Sequence, residues 1–190
     1  GTEKNIPPLI HPGAGPAILV DAAAEPSRLK ALIGNYEVGA VITTHRHQDH
    51  TGALADIINM TGAQPWCGEP DAEAIEATTG VTCSTVWDGD LFRLGDVKLD
   101  VIGLVGHTRG SIALRLQGNP SDHVLTGDSL FPGGVGKTSG SREFESLYTD
   151  ICMKIFAPMS DTTVIHPGHG DATTVGEERP NLPLWRARGW

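Results

Sequence analysis

The run Val41-Ile42-Thr43-Thr44 passes without interruption into His45-Arg46-His47-Gln48-Asp49-His50, and no other junction in the chain restricts the fold as tightly. A β-favouring strand delivers a polar loop rich in metal-ligand side chains. The same event is expected three more times, after Val97 to Val105, after His123 to Thr126 and after Thr162 to Ile165, each run ending at a glycine beside His or Asp. A fold for this chain must let four strand ends carry the chemistry.

Between these strands the pattern changes to helical spacing. Ala17-Ile18-Leu19-Val20 reads as a buried strand, Pro26 opens a helix carrying Leu29, Leu32 and Ile33, and Leu54, Ile57 and Ile58 resume the helical period after the histidine loop. Short apolar runs thus alternate with helices, and no repeat, low-complexity tract or long linker divides them. We expect an α/β fold and one domain over residues 1–190.

Composition narrows the function classes. With 190 residues, 39% of them hydrophobic and 19% charged, the chain can bury a core without staples. The net charge of -9, from 23 acidic and 14 basic residues, opposes binding to a phosphate backbone, so no nucleic-acid partner is expected. Cys67, Cys83 and Cys152 are odd in number, far apart in sequence and make no C-x-x-C spacing. They read as small apolar residues in a reducing environment. No apolar run approaches the roughly 18 residues of a membrane span and no signal peptide is visible, which gives a soluble, cytoplasmic expectation.

His45 to His50 form an H-x-H-x-D-H arrangement. Alternate side chains of an extended segment share a face, so His45 and His47 can grip one ion while Asp49 and His50 turn toward a neighbouring position. Gly106-His107-Thr108-Arg109-Gly110, Gly127-Asp128-Ser129 and Pro167-Gly168-His169-Gly170 each add one ligand-type side chain in a glycine-flanked turn. Each of these is weak alone; in this order they reinforce one another. The remaining histidines read otherwise. His166 is pointed away from its neighbours by strand alternation, and His11 and His123 are expected at the surface.

Taken together, these motifs resemble the metallo-β-lactamase superfamily, and within it the glyoxalase II-like (hydroxyacylglutathione hydrolase-like) hydrolases. The resemblance runs from Ile18-Leu19-Val20-Asp21 to Pro167-Gly168-His169-Gly170. It implies an αββα sandwich with the metal site along one edge, where loops of both sheets meet. It further implies two divalent cations, zinc first and iron or manganese as alternatives. His45, His47 and His107 would hold one, Asp49, His50 and His169 the other, with Asp128 bridging. The water between two such cations loses a proton near neutral pH, and the resulting hydroxide would attack an acyl carbon, with Asp49 orienting it. A thiol leaves readily, so a thioester suits this chemistry.

Gly136-Lys137-Thr138 is not a phosphate loop, because the earlier glycine of that motif is Phe131 here. The surrounding segment is similar to the one in glyoxalase II whose lysine contacts glutathione, which makes Lys137 a substrate-binding candidate. Several positions depart from the family. Arg109 replaces the usual proline, Thr138-Ser139 replace an aromatic pair, and Asp171 to Trp190 is too short for the helical C-terminal domain, reading instead as a tail packed on the sandwich. Thr2 to Gly15, with Pro7, Pro8 and Pro12, is not expected to supply the family's paired first strands.

Three other functions fit the same residues less well. A persulfide dioxygenase would use a single iron on two His and one carboxylate. A lactone or β-lactam hydrolase would differ only in the pocket, and a binding protein would carry a vestigial site. The expected partner is a small acyl substrate, and the chain is expected to be a monomer or small homo-oligomer.

Overall fold

The computed structural model describes residues 8–23 and 25–190; Thr2 to Pro7 of the proline-rich lead-in lie outside them. Two sheets stack face to face. The first holds β1 (Leu9–Ile10), β2 (Ala17–Val20), β3 (Val38–Thr43), β4 (Gln64–Gly68) and β5 (Ser84–Val86) in that order. From β2 to β5 every pairing is parallel. Parallel neighbours need crossover connections, supplied by helices α1 (Pro26–Ile33), α2 (Gln48–Thr51), α3 (Leu54–Thr61) and α4 (Ala72–Thr79).

The second sheet has the order β13-β12-β9-β8-β7-β6, where β6 is Leu91–Leu94, β7 Val97–Gly103, β8 Ile112–Leu116, β9 His123–Gly127, β12 Val164–Pro167 and β13 Thr173–Thr174. Strands β6 to β9 form an antiparallel meander, and β12 returns parallel to β9. That return passes through the small hairpin of β10 (Leu130–Phe131) and β11 (Gly134–Val135), then α5 (Ser141–Ile151) and a π-helical turn over Cys152–Phe156.

Strand alternation explains the layering. Ile18, Val20, Ala40 and Ile42 point inward against Leu99, Val101, Ile112, Leu114 and Leu125 of the facing sheet. The intervening Leu19 and Val41 point outward to Leu29, Ile33, Leu54 and Ile57 on the helices. On the opposite outer face Ala113, Val124 and Ile165 meet Phe144, Leu147, Ile151, Phe156 and Trp185. Strands buried on both faces read as unbroken apolar runs, and this is why Ala17 to Val20 shows no polar alternation. The result is an αββα sandwich.

Two expectations are corrected. The lead-in does supply a paired strand, because Leu9 and Ile10 pair antiparallel with Leu19 and Ile18; Pro8 and Pro12 flank this two-residue edge strand. The C-terminal stretch packs on the sandwich as expected, but as ordered elements rather than as a tail. It forms β13, α6 (Val175–Glu178) and α7 (Leu182–Arg188), with Thr174 capping α6 reciprocally with Glu177 and Trp185 buried in the outer core.

Candidate metal centre

His45 follows β3, whose last residue is Thr43, and His47 stands immediately before the short α2, which carries Asp49 and His50. The extended turn and the helix therefore project four side chains in two directions. His107 comes from the turn after β7, Asp128 follows β9 directly, and His169 follows β12. Two groups of donor atoms result, each with its members within 4.8 Å of one another: His45, His47 and His107 in the first, and Asp49, His50, Asp128 and His169 in the second.

Asp128 stands between the groups. One carboxylate oxygen, Oδ2, is 4.0 Å from His45 Nε2, 3.9 Å from His107 Nε2 and 3.3 Å from His169 Nε2, while Oδ1 is 3.2 Å from His50 Nε2. Buried polar atoms ordinarily find a hydrogen-bond partner. Here His45 Nε2, His107 Nε2 and Asp128 Oδ1 have none, although all three point into this cluster. Asp128 Oδ1 does lie 3.2 Å from His50 Nε2, the contact through which Asp128 raises the His50 pKa. Orphaned nitrogen and oxygen lone pairs converging at such distances are the donor set that a divalent cation satisfies, so the residues present fit metal.

Electrostatics separates the two groups. Burial lowers the His45 pKa to about 2, with His50 adding repulsion, and burial with His107 also lowers His47. Both imidazoles are thus neutral donors. His50 is the opposite case. Burial acts to lower its pKa, but the Asp128 and Asp21 carboxylates outweigh it and raise the value to about 10. Burial likewise disfavours the charged form of Asp128, yet His50, His45 and His169 hold its carboxyl below the usual range.

The supporting residues are the ones that sequence reasoning missed. Asp21, at the end of β2, takes a 2.8 Å contact from His50 Nδ1, accepts hydrogen bonds from the Thr44 amide at 2.7 Å and the Thr44 hydroxyl at 2.8 Å, and is buried. Its backbone sits in the left-handed region at φ 60, a conformation uncommon for a non-glycine residue and compensated here by those bonds. Asp71, fully buried, accepts from the amides of Arg46 and Gly110 and from the Thr108 hydroxyl, which ties the first histidine loop to the His107 turn. The signal for both was present: Asp21 closes an apolar strand, and Asp71 follows Pro70 in the short turn after β4. Neither carries a spacing that links it to the histidines.

Gly168 shows why the last turn needs glycine. A Cβ there would collide with Asp128 Oδ1 and lie 2.7 Å from His50 Cε1. The backbone amide of Gly168 instead donates to the Gly127 carbonyl at 2.7 Å and locks the two ligand turns together.

Of the other sequence candidates, Lys137 is exposed, and its carbonyl accepts from His107 Nδ1 at 2.7 Å, fixing that ring with Nε2 toward the cluster. His166 stands apart from both donor groups. His123 corrects its surface expectation: it is the half-buried first residue of β9 and stacks on His166, 2.9 Å from nitrogen to nitrogen, because parallel β9 and β12 bring the two rings side by side.

Comparison with known proteins follows the same lines. The metallo-beta-lactamase superfamily model matches residues 9–175. Hydroxyacylglutathione hydrolase GloC of Haemophilus influenzae is 27% identical over 190 residues, an alignment covering 90% of this chain and 88% of that protein. The crystal structure of ETHE1 from Myxococcus xanthus superposes with a TM-score of 0.79 at 25% identity, covering 97% of this chain and 80% of the other. BLEG-1 B3 metallo-beta-lactamase reaches 0.78 at 21% identity, covering 93% and 92%, a likeness of fold alone.

Proposed function

The chain belongs to the metallo-beta-lactamase superfamily, and from that premise we propose that it is a dinuclear metal-dependent thioester hydrolase of the glyoxalase II-like kind. The carrying observation is the pair of donor groups, three imidazoles and a four-member carboxylate–imidazole set, joined at Asp128 and containing buried atoms with no protein partner. The relative named hydroxyacylglutathione hydrolase supports the substrate class.

In this reading His45, His47 and His107 hold one cation and Asp49, His50 and His169 the other, with Asp128 shared. Zinc is the first assignment, since it accepts mixed imidazole and carboxylate donors without a redox role; iron and manganese accept them too. Two such cations, when bound, supply Lewis acidity and a water that deprotonates near neutral pH. The protein's own residues do the rest. His45 and His47 remain unprotonated donors because burial disfavours their charge. Asp49, with its side chain 58% exposed at the mouth of the site, orients the attacking water. Asp128 fixes the spacing of the two groups, and Lys137 grips the thiol portion of the substrate. A thiolate leaves without a strong general acid.

We take residues 1–190 as one domain. An iron-dependent persulfide dioxygenase is the second reading, favoured by the ETHE1 superposition, and a lactone or β-lactam hydrolase differs only in its pocket. Elemental analysis of tag-free protein purified without chelator, followed by a thioester panel and an oxygen electrode, tests them. Two metals per chain with thioester hydrolysis is the expected result. One iron with oxygen consumption on a persulfide overturns it.

A further inference from the structure

Beside the first donor group lies a groove of about 700 Å³ whose walls include His47 and His107. Three arginines reach it from three separate elements: Arg46 from the histidine loop, Arg109 from the turn after β7, and Arg142 from the first turn of α5. All three are exposed. Of the other arginines, Arg115 pairs with Asp122, Arg179 with Asp161, Arg186 with Glu145 and Arg188 with the Gly133 carbonyl, while Arg28 and Arg93 are exposed singly and away from the groove lining. Arg46, Arg109 and Arg142 make no side-chain hydrogen bond or ion pair among the described residues, and Glu143 is the only carboxylate lining the groove.

A chain with 14 basic residues against 23 acidic ones sets three guanidinium groups around one cavity at the mouth of its metal centre and neutralises them with one acid. Guanidinium recognises carboxylate and phosphate through paired parallel hydrogen bonds, and convergent like charges are repulsive until an anion joins them. Bound cations at the neighbouring donor groups would add to the positive field rather than relieve it.

We propose that the groove binds the thiol carrier of the substrate through at least two anionic groups, and that Arg46, Arg109 and Arg142 set this preference. The proposal rests on the thioester reading above and adds to it the chemistry of the leaving group. A small polyanion meets only the groove, whereas a phosphate polymer would also meet the acidic remainder of the surface. Carboxylates and phosphates are the two sources of such anions, and matched probes tell them apart.

The test is calorimetric binding to the metal-loaded protein of three thioethers: S-methylglutathione, which carries carboxylates; S-methyl-coenzyme A, which carries phosphates; and neutral N-acetyl-S-methylcysteamine. At least one anionic probe should bind about tenfold or more tighter than the neutral one, and the advantage should shrink as salt is raised. Arg109→Gln combined with Arg142→Gln should reduce the ratio of anionic to neutral affinity by about tenfold or more, while Arg109→Lys keeps part of it. Equal binding of all three probes, or a ratio untouched by the double variant, overturns the assignment. Turnover of the matching acyl thioesters reads the other question separately: an anionic binding preference without hydrolysis of any thioester refutes the hydrolase and leaves the groove assigned.

Discussion

The two halves of the candidate centre are built by different means. In the first, three imidazoles sit close together, His45 with its side chain only 1% exposed, and their backbones are tied by Asp71 through Arg46, Thr108 and Gly110. In the second, carboxylates join the imidazoles, Asp49 and His169 are 58% and 41% exposed, and Asp21 contacts the ring of His50 directly. In one half burial holds His45 and His47 neutral. In the other, in the metal-free protein, the Asp21 and Asp128 carboxylates raise the His50 pKa. The comparison teaches that ligand type alone does not decide how a site behaves; the carboxylate behind each half decides it too.

The largest break comes from the residue common to both halves. Asp128→Ala should empty both positions and lower thioester turnover by about 10³-fold, read by elemental analysis and initial rates, with the circular dichroism spectrum retained. Unchanged turnover would sink the dinuclear reading. A matched pair then sharpens the contrast. Asp21→Ala should weaken metal at the second position by about 10- to 100-fold and spare the first, whereas Asp71→Ala should act on the first by about tenfold and also lower the melting temperature, since it strands two amides and a hydroxyl. Metal titration monitored with cobalt as a spectroscopic probe separates the two; identical profiles for both variants would show the halves to be one unit.

The smallest effect is on the metal-free protein. His50 titrates at about 10 in the fold against an ordinary 6.5, so its contribution is complete below pH 6.5 and is lost as pH rises through about 10. His45 titrates at about 2 against the same 6.5, so its contribution is complete above pH 6.5 and is lost as pH falls toward 2. Chelator-treated protein should therefore be most stable near pH 6.5, and thermal melts across pH will show it. A monotonic profile would mean that other groups dominate.

Much of this was legible in the sequence because period-2 burial and ligand spacing are local properties. Val38 to Thr44 announced β3, and the order His45, His47, Asp49, His50, His107, Asp128, His169 announced the two donor groups. What was not legible depends on tertiary neighbours. Asp21 and Asp71 are ordinary acids until β3 and the His107 turn come to rest against them. His123 looked like a turn residue until parallel pairing set it beside His166. Leu9 and Ile10 are too short a run to register as a strand, and pair only because β2 offers them an edge.

Asp49 and His169 lie 3.1 Å apart in space and 120 positions apart along the chain. No short segment carries both, so a cation gripped between them fastens the first sheet to the last strands of the second. Such a fastener cannot be captured by a fragment, in contrast to metal loops whose ligands are neighbours in sequence. In the dinuclear reading, loading of a newly made chain would wait until β12 has docked beside β9, and the exchange rate of the second metal would become a clock for the parting of the two sheets along this rim.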